Sequence, residues 1–326
     1  MHREIRDSVV AACEQQSLDS LASVADDGEG DTIFAIDRVS EQTLLDVLSR
    51  EVACHTPIVL IAEGLEPDGV RVLPEGARES DAAWRIVVDP IDGTRGLMFQ
   101  KRSAWILTGV APNRGDSTSL ADIQIAVQTE IPLVKQHLSD TLWAVEGQGT
   151  RGERTNRVTG EVTSLKPSPS GSETLENGFS TVARFFPGVQ ELLGGVYDEW
   201  MRDLLGPPVR GKAQCFEDQY ICTGGQLYEL IVGHDRLVAD LRPLLESVLN
   251  EKGSAMGLCC HPYDLCTELI AREAGCGVSD ARGAPLESPL DIHTDVAWVG
   301  TANRRIQADA LPALRSVLER RGLLPE

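Results

Sequence analysis

The sequence predicts a protein of mixed α and β layers, and three patterns carry that reading. Two compact apolar runs of strand length, residues 57–62 and 84–88, each lead straight into an acid, Glu63 and Asp89. Elsewhere the apolar residues fall at helical spacing: Leu44, Leu45, Leu48 and Val52 share one face, as do Val189, Leu192, Leu193, Val196 and Trp200. Residues 123–128 and 141–145 alternate apolar and polar side chains, which predicts paired strands before the turn-rich 146–152.

In chain order, the polar 26–31 precedes a short apolar stretch, residues 33–36, that ends at Asp37 ahead of the first long helix. The Pro- and Ser-rich 166–172 reads as a linker, dividing an N-terminal α+β domain, 1–168, from a C-terminal α/β domain, 169–326. Gly224-Gly225 reads as a breaker before a helix carrying Leu227, Leu230 and Ile231. Tyr263-Asp264 opens another helix, with Leu265, Leu269 and Ile270 inward and Gly275 and Gly277 as its stop. A terminal helix buries Leu311, Leu314, Val317 and Leu318. No internal repeat is evident.

Composition narrows the function. The 326 residues carry a net charge of −20, which argues against nucleic acid and anionic membrane as partners, since both need clustered Lys and Arg. No apolar run approaches the roughly 20 residues that span a bilayer. The first residues carry charge without a following apolar segment and cleavage site, so the expectation is a cytoplasmic protein. The 8 cysteines contain no C-x-x-C pair and read as reduced thiols, and the 6 histidines are scattered, which disfavours zinc.

The most specific feature is Asp89-Pro90-Ile91-Asp92-Gly93-Thr94. Pro90 fixes its own φ and lacks an N–H, while Gly93 permits a tight turn, so the chain is expected to curl and bring both carboxylates together. Hard divalent cations such as Mg²⁺ take oxygen ligands of this kind. Thr94 stands where a helix can begin, and amides at a helix start suit a phosphate. An EF-hand needs acids at alternate positions, and a D-x-D phosphatase needs them two apart; here they are three apart. Taken singly, Asp264 is a helix N-cap, Asp37 a turn acid and Glu63 a surface residue ending a strand.

Together and in this order, these residues resemble the inositol monophosphatase-like, lithium-sensitive, Mg²⁺-dependent phosphatases. The D-P-[IL]-D-G-T signature is intact; Asp37 matches the Asp before the first long helix, Glu63 the Glu at a strand end, and Asp264 with Glu273-Ala274-Gly275 the Trp-Asp helix and its Glu-Ala-Gly-Gly. The matches run from about residue 31 to 303. The resemblance implies a layered α-β-α-β-α sugar-phosphatase fold and a homodimer. It implies that Glu63, Asp89 and the Ile91 carbonyl hold one Mg²⁺ and that Asp89, Asp92 and Asp264 hold a second, with a third weaker ion near Glu63. Glu63 and Thr94, with Asp37 bonded to Thr94, are then the catalytic groups that orient and deprotonate water, and the Gly93 and Thr94 amides bind phosphate.

The implied activity is hydrolysis of a small phosphorylated polyol or sugar. Alternatives on the same fold are a 3′(2′),5′-bisphosphate nucleotidase, a fructose-1,6-bisphosphatase and a histidinol-phosphatase; an inactive binding homologue is the alternative of another class. Three departures stand out. Gly64 replaces a second Glu, Tyr263 replaces Trp, and the stretch 233–257 is longer than usual, with an extra helix expected beside the pocket or at an interface. Lys101 and Arg102, just after the signature, are candidates for a second anionic group.

Overall fold

The computed structural model describes residues 1–15, 24–26, 33–65 and 68–324, and of 24–26 and 33–39 the backbone alone. Strand-forming runs rich in Val, Ile and Leu build an eight-stranded sheet. Its members are β3 (Ile58–Ala62), β4 (Val70–Leu73), β5 (Trp84–Asp92), β6 (Ala104–Pro112), β7 (Ile125–Ile131), β8 (Leu138–Val145), β9 (Thr150–Asn156) and β10 (Val162–Leu165), in the order β10-β9-β8-β7-β6-β5-β3-β4. Only β3 and β5 run parallel; every other neighbouring pair is antiparallel. A four-stranded sheet comes next, with β11 (Phe179–Val182), β12 (Asp235–Asp240), β13 (Gly277–Ser279) and β14 (Trp298–Thr301) in the order β11-β12-β14-β13. Before both sheets, β1 (Val24–Asp26) pairs with β2 (Ile33–Phe34).

Helices form three layers around these two sheets. On the outer face of the large sheet lie α1 (His2–Gln15) and α2 (Ala35–Leu48), where Ile5, Val9, Val10, Leu44 and Leu48 close over Ile58, Leu60, Ile86, Val88 and Ile106. Between the sheets lie α5 (Thr223–Ile231), α7 (Pro262–Leu265) and α8 (Glu268–Ala274). There Leu227, Leu230, Leu269 and Ile270 share a cluster with Val59, Ile61, Val87, Leu107 and Val238. On the far face of the small sheet, α4 (Gln190–Leu205) and α9 (Arg304–Arg320) bury Leu193, Val196, Trp200, Leu314 and Val317 over Val182, Leu237 and Val299. The result is the α-β-α-β-α layering that the resemblance implied. Two further short helices lie among the described residues, α3 (Thr94–Met98) and α6 (Glu246–Glu251).

Several local expectations need correction. Asp37 lies inside the first turn of α2, not ahead of it. Gly224 and Gly225 do not break the chain; they sit within the first turn of α5 because nothing larger fits. A Cβ on Gly224 would stand 2.6 Å from Leu107 Cδ2, and one on Gly225 would stand 2.5 Å from the Tyr220 ring. The helix expected from Tyr263 onward is two helices, α7 and α8, separated at Cys266-Thr267, with Gly275 in the left-handed conformation (φ 98°) ending the second as expected. The stretch 233–257 is built into the fold: β12 is an inner strand of the small sheet, and the segment after it, which includes α6, buries Leu241, Leu245 and Leu249 in the cluster on that sheet's far face.

Candidate active site

The signature works through a strand irregularity. In a regular strand, residues three apart point to opposite faces. Here Asp89 pairs with Leu107 and Asp92 with Trp105, three steps on β5 against two on β6, so one extra residue is accommodated as a β-bulge. Val88 and Ile91 consequently both face the outer helices, and Asp89 and Asp92 both face the layer between the sheets. The expected curl is therefore a bulge within β5, which continues to Asp92. Asp89 accepts the Ile91 N–H at 2.9 Å, tightening the bulge. Gly93 (φ 94°) then turns the chain into α3, where the Thr94 hydroxyl donates to the Ile91 carbonyl at 2.8 Å.

The layer between the sheets supplies the third acid. Asp264 sits on α7 and accepts the His261 N–H at 2.6 Å. One carboxylate oxygen from each of Asp89, Asp92 and Asp264 lies within 4.8 Å of the other two. Asp92 is also held from across the layer, accepting the Gly224 N–H at the start of α5, while the Cys222 thiol donates to its backbone carbonyl at 3.2 Å. Glu63 follows β3, with Tyr263 donating to it at 3.4 Å. Glu63, Asp89, Ile91, Asp92, Gly93, Thr94 and Asp264 all line one cleft of about 110 Å³. The Asp37 side chain lies outside the described residues.

Asp89 and Asp92 are 2% and 6% exposed. Burial, then repulsion from Asp92, Glu63 and Asp264, holds the Asp89 carboxyl well above the ordinary range. Burial pushes Asp92 up to about 6, against the opposing Gly224 N–H bond. Burial, then Asp92, raises Asp264. Acids so placed repel one another, and a bound cation would relieve that repulsion. The buried guanidinium of the cleft does not supply it, because Arg242 is committed to Asp240. A divalent ion fits this donor set.

The sequence reading missed Phe185, Phe186, Cys222, Leu258, Cys259 and Arg242, which also line the cleft. They come from separate loops and carry no local spacing signal. Lys101 and Arg102 do not reach it: they open onto a different hollow, beside Tyr220 and Tyr228, where Arg102 pairs with Asp218 and lies over the Tyr220 ring.

Neither a protein-family model nor a curated protein sequence matches the chain. Solved structures do. Leishmania major fructose-1,6-bisphosphatase in its holo form superposes with a TM-score of 0.68 at 15% identity, over 98% of this chain and 91% of that one. Extragenic suppressor protein SuhB of Bartonella henselae gives 0.63 at 17% identity, over 96% and 94%. Thermotoga maritima IMPase gives 0.62 at 14% identity, over 98% and 95%. This is the inositol monophosphatase and fructose-1,6-bisphosphatase fold. Within that fold the carboxylates of Asp89 and Asp92 leave the large sheet on the side facing α7, so a single short helix completes the acidic cluster.

Proposed function

We propose that the chain is a Mg²⁺-dependent phosphomonoesterase that hydrolyses a small phosphorylated metabolite with water as nucleophile. The convergence of Asp89, Asp92 and Asp264 in one cleft carries this reading. Glu63, Asp89, Asp92 and Asp264, with the Ile91 carbonyl, would hold the ions. That carbonyl already accepts the Thr94 hydroxyl, and a carbonyl oxygen carries two lone pairs. Bound divalent ions supply charge that neutralises the transferring phosphoryl group and make water acidic enough to lose a proton near neutral pH.

The protein's own groups do the positioning. The Gly93 and Thr94 amides at the turn into α3 receive the phosphate oxygens. Glu63, steadied by the Tyr263 hydroxyl, accepts the proton of the attacking water together with Thr94, and Asp37 supports Thr94. The Gly224 N–H holds the Asp92 carboxylate where it joins the cluster. Phosphoryl transfer needs mainly positioning and charge neutralisation, which this set provides without a nucleophilic side chain.

The test is phosphate release by the purified protein across a panel of polyol, sugar and nucleotide phosphates, with Mg²⁺ and with EDTA. Release that requires Mg²⁺ and disappears in Asp264→Asn is expected. Release unaffected by EDTA would sink the metal-dependent mechanism, and no release while Mg²⁺ binds would sink the reading and favour an inactive binding homologue.

A further inference from the structure

The lining of the cleft is of two chemical kinds. Acids and the Gly93-Thr94 turn make one; Phe185, Phe186, Ile221, Leu258 and Cys259 make the other. The Phe185 and Phe186 rings meet edge to face, with centroids 5.7 Å apart and planes at 86°. The Arg242 guanidinium braces both, 5.0 and 5.4 Å from their centroids. It is not a spare cation. Its Nε donates to the two Asp240 oxygens at 2.9 and 3.1 Å, and its Nη1 donates to the Leu258 carbonyl at 2.6 Å. A second phosphate would find Arg242 committed, Arg95 on α3 beside the turn that receives the first phosphate, and Lys101 and Arg102 in another hollow.

A polyol leaving group lying against Phe185, Phe186 and Leu258 would turn its hydroxyls toward side chains that offer no hydrogen bond, losing water without replacement. A flat unsaturated ring has the opposite needs: it stacks on aromatic and aliphatic surface and tolerates a dry wall. Resting on the phosphatase reading, we propose that the substrate is a nucleoside monophosphate, its base against Phe185 and Phe186 and its single phosphate at the acids and the Gly93-Thr94 turn. In the reaction the water oxygen bonds to phosphorus and the P–O bond to the nucleoside breaks. The leaving oxygen ends protonated as the nucleoside hydroxyl, so no further reactant is needed.

The experiment compares kcat/KM for adenosine 5′-monophosphate and glycerol 2-phosphate, with Mg²⁺, in the wild type, Phe185→Leu and Phe186→Leu. The wild type should prefer the nucleotide by about tenfold or more. That ratio should fall by about 5- to 100-fold, chiefly through KM, in at least one Leu variant. Equal kcat/KM values in the wild type, or a ratio that survives both substitutions, overturn the proposal. If no ester releases phosphate, the phosphatase reading fails by itself. Calorimetry with adenosine and the Mg²⁺-treated protein then decides the ring site: binding weakened by either substitution upholds it, and no binding to the wild type ends it.

Discussion

Asp92 sits where three demands meet: it faces Asp89 and Asp264, accepts the Gly224 N–H, and closes the bulge of β5. Asp92→Asn keeps the shape and one acceptor oxygen but removes a charge from the cluster. Turnover should fall by at least about a thousandfold, a loss of about 4 kcal/mol in transition-state stabilisation. The metal-free thermal midpoint should hold or rise, because a buried like-charge repulsion is relieved. Wild-type turnover in this variant would remove Asp92 from the ligand set. At the opposite face of the sheet, His2 is buried with its ring nitrogens 2.8 and 2.9 Å from the Thr108 and Thr129 hydroxyls. Burial, then the charge of the first amino group, pushes its pKa from 6.5 down to about 3. Below 6.5 the unfolded chain takes up a proton that the folded chain refuses until about pH 3. His2 thus contributes stability that is complete above that upper value and is lost progressively as pH falls toward the lower one. His2→Gln should flatten the urea midpoint against pH between about 7 and 4, at a cost near neutral pH of about 1 kcal/mol. Parallel curves for the two proteins would show that His2 is not held neutral.

Among the elements, the N-terminus of α5 and the bulge of β5 depend on each other. Cys222 caps the helix, its Sγ accepting the Gly225 N–H at 3.3 Å, and the neighbouring amide, that of Gly224, is given to Asp92. Neither bond could be read locally, because Cys is outside the usual N-cap set and the partner acid lies 132 positions away. Gly224→Ala would press a methyl group to 2.6 Å from Leu107 and 3.0 Å from the Asp92 carboxylate. Overpacking of this kind costs about 1–3 kcal/mol, and here the strain falls on Asp92, a proposed ligand. We expect a folded protein whose Mg²⁺ affinity falls at least about tenfold, as calorimetry would detect; unchanged affinity would mean that α5 does not position Asp92.

Across the whole molecule, the acids come from elements far apart in the chain: Asp89 and Asp92 from the large sheet, Asp264 from a helix between the sheets. A divalent ion joining them binds the folded chain in preference to the unfolded one. At about 100-fold over its dissociation constant, Mg²⁺ should add about 2.7 kcal/mol. The thermal midpoint should rise by several degrees with Mg²⁺ and return with EDTA. Asp264→Asn should abolish most of that shift; an equal shift in the variant would place the ion elsewhere.

Local and periodic features are legible in the chain alone. Residues 57–62 and 84–88 had to be buried strands, and the helical spacing around Leu44 and around Leu193 needed no tertiary information. Asp89 to Thr94 marked the chemistry because a strand fed two acids into a Pro and Gly turn. The rest depends on contacts between distant elements. The bulge that turns Asp89 and Asp92 to one side depends on the register with β6, and the glycine pair at 224–225 is explained only by Leu107 and Tyr220 pressing on it. The wall of Phe185, Phe186 and Arg242 is assembled from loops that have no period in common. Periodicity records which face of an element is buried; which distant element covers that face is fixed by packing, and the cleft is made of such meetings.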